Sequence, residues 1–399
     1  MSRTKYDVIV AGGSLSGLLT ARELCSRSSI SVKVLEADHE IGTPEHCGGL
    51  VSLNGLRNLG IVPSSRTFRN QVMRAKISSR SSSFEVDAKL QNVVAIDRRE
   101  LDKQIAFQAQ KLGVEITTMN FMKSVSARPK LVAHRSQQVE EEYDYAVSTT
   151  EGTMYCKYFV DARGLSSLIR RQRTGILPSG QYEVLAPWID PDTVELYFDA
   201  DKYPGFFAWV IPLGDNKAKI GVAGRDINIV NSIRSFLESK GSTYSILRKI
   251  FAPIYVSGPI RHFTAGHRFL IVGDAAGQTK PTTAGGILSS GMGGVLAGRA
   301  IVKAIEQADD SFLNNYSKEW RSIFGFEFKK LMVARRIFEH LDNKAIDELF
   351  STVSQRTLTR ISDDGEFDFH SAPLSLILEA KSTSRIVKGL LESRLRKGI

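Results

Sequence analysis

The chain has 399 residues, 42% of them apolar and 24% charged, which excludes a disordered chain and a small disulfide-stapled fold and leaves room for two or three domains. A net charge of +10 suits nucleic acid, an anionic membrane surface or a phosphorylated ligand, and the basic residues are scattered rather than gathered in blocks. Cys25, Cys47 and Cys156 form no CxxC pair, so neither a zinc site nor a disulfide framework is readable, and a reducing compartment is expected.

The opening "MSRTKYDVIVAGG" lacks the apolar core and cleavage site of a signal peptide, so a cytoplasmic protein is expected. "YDVIVAGG" predicts a strand, "SLSGLLTARELCSR" a helix and "SVKVLEAD" a second buried strand, together a βαβ unit. At its first turn Gly12, Ser14 and Gly17, with Gly13 between them, follow the G-x-G-x-x-G spacing that seats a pyrophosphate on a helix N-terminus, with Ser14 in place of the middle glycine. Glu36, next to Ala37 at the end of the second strand, is positioned to accept ribose hydroxyls. "TPEHCGGLVS", residues 43 to 52, sets Cys47 between His46, expected at the surface, and the Gly48–Gly49 pair, where a thiol is badly placed to fill a core. "SSRSSS", residues 78 to 83, reads as an exposed turn.

"YDYAVSTTEGTMYCKYFVDARG" reads as two strands turning at Glu151 and Gly152, and "TVELYFDADKYPGFFAWVIPLGDNKAKIGVAG" as strands with a "GDNK" turn; both are assigned to an antiparallel layer. From Pro281 to Gly298 eighteen residues pass without a charge, the length of a membrane span, yet six glycines among them favour a buried loop and helix. After about residue 300 the pattern is helical, "NNYSKEWRSIFGFEFKKLMVARRIFEHL" being the clearest amphipathic run. This region is expected to cover an apolar slot, and trimming from about residue 345 onward to be far better tolerated than trimming from 311.

Three further stretches distinguish a flavin from a nicotinamide. "RFLIVGDAAG", residues 268 to 277, resembles the second flavin fingerprint of glutathione-reductase-type flavoproteins, whose aspartate, here Asp274, bonds the ribitol chain. "VDARGLSSLIRR" is similar to the D-x-x-G-x-x-S pattern of flavin monooxygenases, matched by Asp161, Gly164 and Ser167, and "DRRELD" resembles their arginine segment, with Arg98 as the cofactor contact. Added to "CGGL", "FAWVIPLGDNKAKIGVA" and "GDAAGQTKPTTAGGI", these resemble the geranylgeranyl reductase family, flavoenzymes that saturate prenyl double bonds, over roughly residues 5 to 340. The middle motif of that family, Y-x-W-x-F-P then G-x-G, appears as Phe207, Trp209, Ile211 and Pro212, then Gly221 and Ala223, so a tyrosine hydroxyl is lost.

The resemblance implies an α/β protein: a glutathione-reductase-type FAD-binding domain from residues 1–60, 95–172 and 258–310, a p-hydroxybenzoate hydroxylase-like antiparallel sheet domain from 61–94 and 173–257, and a helical region over 311–399. FAD would be held by Gly12, Gly13, Ser14, Gly17, Glu36, Ala37, Cys47, Gly48, Gly49, Arg98, Asp161, Gly164, Asp274, Gly285, Gly286 and Ile287. Phe206, Phe207, Trp209, Ile211 and Pro212 would line the slot for a geranylgeranyl lipid or prenyl phosphate, with Cys47 and Trp209 in the chemistry and no metal. Cys47 would face the flavin, as proton donor or as packing. The electron donor, NAD(P)H or a ferredoxin-like protein, stays open, and contact with a membrane surface, not nucleic acid, is expected. Two rival readings are a flavin-dependent monooxygenase or halogenase, because "FAWVIP" also resembles W-x-W-x-I-P, and a non-catalytic flavin-containing isoprenoid-binding protein.

Overall fold

A computed structural model describes residues 4–127, 143–171 and 174–378. The opening forms the predicted unit: β1 (Lys5–Ala11), α1 (Leu15–Arg27) and β2 (Val32–Leu35). Among the described residues seven strands make the first sheet, with Glu115–Thr117, β2, β1, Gly152–Asp161 and Phe269–Ile271 running parallel. Tyr145–Thr149 and Met122–Ala127 extend it as an antiparallel meander. The predicted hairpin at Glu151–Gly152 therefore exists, but it belongs to this sheet and not to the second layer. Its long strand Gly152–Asp161 outlasts its partner and pairs with β1 and Phe269–Ile271, the arrangement its all-buried end "YFVD" calls for.

The charge-free stretch becomes the buried helix Ile287–Glu306, packed on α1. Its glycines explain the fit: a Cβ on Gly294 would lie 2.2 Å from the Ser16 carbonyl oxygen, and one on Gly291 2.7 Å from Leu59. Among the described residues no helix is long and apolar enough to cross a membrane.

The second sheet runs Ser245–Phe251, Ser179–Leu185, Lys217–Ala223, Ala208–Gly214, Thr193–Tyr197, Arg74–Ser78, Ser83–Asp87. It is antiparallel except at one junction, where Thr193–Tyr197 pairs parallel with Arg74–Ser78. Asp215 and Asn216, both at positive φ, make the "GDNK" turn. Helix Ile229–Lys240 covers one face of this sheet through Ile233, Phe236 and Leu237, and the other face looks toward the first domain.

The C-terminal region is helical, as expected. Helix Leu313–Phe338 seats on the first domain, with Trp320 fully buried, its Nε1 donating to Ser289 O (2.9 Å), and Tyr316 Oη donating to Ile271 O (2.8 Å). Only its last turns reach the second sheet. The part beyond 345 is structural: Phe350 on helix Asn343–Ser351 packs edge-on against Phe84 and Phe198, and Asp368 accepts a hydrogen bond from Ser52. Phe350→Ala is expected to cost about 3–5 kcal/mol, and a chain ending at 342 to unfold at a still lower temperature; thermal unfolding followed by circular dichroism checks both.

Candidate active site

Ala11 pairs with Leu35 on one side and Asp161 on the other, so the carboxyl ends of three parallel strands open side by side onto one crevice. Gly12, at φ +113°, could carry no side chain, because its Cβ would stand 2.3 Å from the Ala162 carbonyl oxygen. Gly17 would strike the Gly12 carbonyl at 2.0 Å. Ser14 is the N-cap of α1 but closes no cap with its side chain; its Oγ donates to Asp102 (3.3 Å), leaving the helix N-terminus to an external anion. Glu36 accepts from the N–H of Gly13 (2.8 Å) and of Asp38 (3.0 Å), beside the exposed Ala37. Burial raises its carboxyl against those two backbone bonds.

Two predicted contacts are different. The Asp161 carboxylate is fully buried and engages Arg163 (2.9 Å) and Ser167 (2.5 Å), so it organises its own loop and is not presented to a ligand. Gly164, at positive φ, has open space around it.

The Gly273–Ala276 turn presents Asp274, which is exposed to solvent yet so deep in the cleft that desolvation raises its carboxyl. Ser290 Oγ donates to it (3.2 Å) and the Arg98 charge opposes the rise. The neighbouring Gln278 joins the turn to the long helix, accepting from Gly273 N (2.8 Å) and donating to Tyr316 Oη (3.0 Å). Gly286 caps helix Ile287–Glu306 without a side-chain bond, so a second uncapped helix N-terminus, behind Gly285 and Gly286 and ahead of Ile287, faces the cleft.

The loop 42–49 is anchored by a residue that the sequence reading passed over. Glu45 is buried and pairs with Lys219 (2.7 Å), itself buried, with Arg248 (2.9 Å) and with Arg99 (3.7 Å), and accepts from Arg98 N (2.9 Å). Two residues on, the Cys47 carbonyl accepts from Lys219 Nζ (3.1 Å) and Gln181 Nε2 (3.0 Å), and Gly49 N points at Cys47 Sγ (3.3 Å). A Cβ on Gly48 would lie 2.8 Å from Ile211, and one on Gly49, at φ +79°, 2.3 Å from the Ile96 carbonyl oxygen. These glycines let the loop press onto both domains. His46 is exposed, as expected. Although burial works against its charge, Asp102 and the adjacent Cys47 sulfur hold the Arg98 guanidinium above its ordinary pKa.

Phe206, Phe207 and Ile211 are brought together around Trp209. Phe206 and Phe207 stack at 4.2 Å, Trp209 stands edge-on to both, and Gly221 is where the indole needs space, a Cβ there lying 2.2 Å from it. Pro212 departs from this group: strand alternation turns it to the opposite face, with Ala208 and Val210, while Trp209, Ile211 and Leu213 share one side. Phe367, unforeseen, packs with that group. Its strap, residues 366–370, is latched by buried Lys280, whose Nζ donates to the Phe367 and Asp368 carbonyls (both 3.3 Å) and meets His370 Nε2 (3.2 Å). Desolvation pushes Lys280 down to about 8.

Arg98 Nε, Gln181 Oε1 and Trp209 Nε1 are buried without a hydrogen-bond partner in the chain. With Glu36, two uncapped helix ends and the half-satisfied Asp274, they make a line of donors and acceptors that fits a dinucleotide carrying a polar-edged ring. Among the described residues no cluster of metal ligands accompanies it.

Fold and site together define an FAD-dependent oxidoreductase. Residues 5–324 match the family model described as FAD binding domain, and the chain belongs to that family. Digeranylgeranylglycerophospholipid reductase 2 of Methanothermobacter thermautotrophicus is 29% identical over 378 residues, covering 90% of this chain and 94% of its own. The like-named protein of Methanopyrus kandleri is 27% identical, over 90% and 92%. Among solved structures, a geranylgeranyl bacteriochlorophyll reductase-like protein of Thermoplasma acidophilum shares the fold with TM-score 0.83, 23% identity and coverage of 98% and 100%. A flavin-dependent brominase shares it more loosely, at TM-score 0.67, 15% identity and coverage of 98% and 100%.

Removing Glu45 strands the buried Lys219. Glu45→Ala is expected to cost about 3–5 kcal/mol, and the apolar pair Glu45→Leu with Lys219→Met to recover much of it while leaving the Cys47 loop unanchored. Melting temperature and bound-flavin fluorescence, measured on all three variants, read stability and loop position separately.

Proposed function

We propose that the protein saturates C=C bonds in the geranylgeranyl chains of membrane-lipid precursors. The observation that supports this most is the close approach of Gly48 to Ile211, where a Cβ would lie 2.8 Å from the isoleucine side chain, so that the Cys47 loop lies against the strand that carries Trp209. Reduced FAD, when bound, would supply the hydride chemistry that saturation of an alkene needs. The chain's own residues have the remaining tasks. Phe206, Phe207, Trp209 and Ile211 exclude water and hold the double bond in place. Cys47 holds the proton for the other carbon at Sγ, and the permanent charge of Arg98 next to it stabilises the thiolate left behind.

In this reading Glu36, the α1 N-terminus and Gly12–Gly13 hold the adenosine and pyrophosphate half of the cofactor, Asp274 the ribitol, and Cys47–Gly49, Arg98 and Gly285–Ile287 the ring. The substrate's polar end, a prenyl phosphate or phospholipid head, stays outside the slot. Reducing equivalents come from NAD(P)H or a ferredoxin-like protein, and the enzyme works at the inner face of a membrane.

Asp274→Ala is expected to abolish the yellow FAD absorbance of the purified protein and to keep its far-ultraviolet circular dichroism. For the chemistry, enzyme reduced in advance is mixed anaerobically with a geranylgeranyl lipid, and flavin reoxidation is followed with lipid mass as the product readout. Cys47→Ala should reoxidise about 10²-fold to 10⁴-fold more slowly at unchanged FAD content, with Cys47→Ser between the two. Equal rates would leave Cys47 as packing, and oxygen uptake without lipid saturation would move the protein to the monooxygenases.

A further inference from the structure

Helix Leu313–Phe338 buries one face in the first domain through Tyr316, Trp320, Phe324, Phe328 and Leu331. Among the described residues no element covers its opposite face, and Ile323, Phe326 and Val333 are 44%, 69% and 55% exposed. Those residues recur at spacings of three and seven, so they form one stripe along the helix. A monomer with no use for such a stripe would not keep it in water.

The charges beside it are one-sided. Lys318, Lys329 and Arg336, all exposed and spaced by eleven and seven residues, run in a row along its border, and Lys330 lies over the Phe326 ring at 4.6 Å. Glu319 is the only exposed acid of this helix.

Position ties the stripe to the slot. On the inner side of the same helix Met332 occupies the space a Cβ on Gly258 would need, the Arg335 guanidinium stands 5.6 Å from the Phe206 ring, and Phe338 packs 4.9 Å from Phe198. One helix thickness, about 10 Å, separates the stripe from the slot's aromatic wall.

We propose that this face is where the protein sits on an anionic lipid bilayer, with Ile323, Phe326 and Val333 entering the headgroup layer and Lys318, Lys329, Lys330 and Arg336 lying against lipid phosphates. The inference rests on the lipid-reductase reading. Aromatic and aliphatic side chains bordered by cations, on a helix lying flat, match a bilayer surface in both apolar depth and charge. A prenyl chain leaving that layer has only the helix to round before it meets Phe206 and Phe207.

The test uses the full-length, FAD-loaded protein and sedimentation with vesicles, either phosphatidylcholine alone or phosphatidylcholine mixed with phosphatidylglycerol. Binding is expected to the mixed vesicles only and to weaken in high salt. Phe326→Glu should lower the bound fraction at least about tenfold, and the Lys329→Glu, Lys330→Glu pair should remove the preference for the anionic lipid, both at unchanged flavin content. Wild-type protein that ignores anionic vesicles, or Phe326→Glu that binds like wild type, overturns the proposal. So does gel filtration showing a dimer that Phe326→Glu dissolves, which would give the face to a second copy. Turnover of a detergent-dispersed geranylgeranyl lipid is scored separately: Phe326→Glu should keep it, and vesicle binding by an enzyme with no such turnover would sink the reductase reading alone.

Discussion

A carboxylate taken out of water persists only where cations and N–H groups replace its hydration, and Glu45 has Lys219, Arg248, Arg99 and the Arg98 backbone N–H around it. Its partners come from both domains. Lys219 and Arg248 belong to the second sheet, Arg98 and Arg99 to the first turn of helix Arg98–Lys111, and Glu45 to the 42–49 loop that lies against both. Moving the Cys47 loop would break several charge-assisted bonds at once. The place of the Cys47 backbone relative to helix Arg98–Lys111 and to the second sheet is therefore a fixed property of the fold.

Glycine has two different uses around the cleft. Gly12, Gly17, Gly48, Gly49 and Gly221 are positions where a side chain would collide with protein: a carbonyl oxygen, an isoleucine, an indole. Gly164 has nothing near it, and Gly286 leaves a helix end without a cap. The first group fixes the walls; around Gly164 the backbone is open. A glycine-rich motif thus mixes residues that shape protein against protein with residues that face the ligand, and only the surroundings of each tell them apart.

The βαβ unit, the Asp274 turn and the aromatic wall were legible because each is written locally: a period, a spacing, a run of apolar residues. Pro212 was legible too, since its parity with Ala208 sets it on the far side of the strand, and the motif reading overrode that signal. Glu45 and Lys219 were not, because a lone charge in a loop or strand reads as surface until 174 residues of separation are folded away. The Phe367 strap has no local pattern, and its place depends on a latch, Lys280, that resembles any lysine in sequence. Asp161 matched its motif correctly, yet its role follows from Arg163 and Ser167 beside it.

The single parallel junction, Arg74–Ser78 against Thr193–Tyr197, has a consequence for how the chain is made. As the protein leaves the ribosome, the hairpin 74–87 has no neighbour on its inner side until Tyr197 is synthesised, and the sheet stays open through the whole middle of translation. Closure comes later still, when Asp368 meets Ser52 across a sequence separation of 316 residues. Loop-closure entropy grows only slowly with such lengths, so the long wait adds little to the thermodynamic cost of the contact. It lengthens the time for which the nascent cleft stands open to solvent.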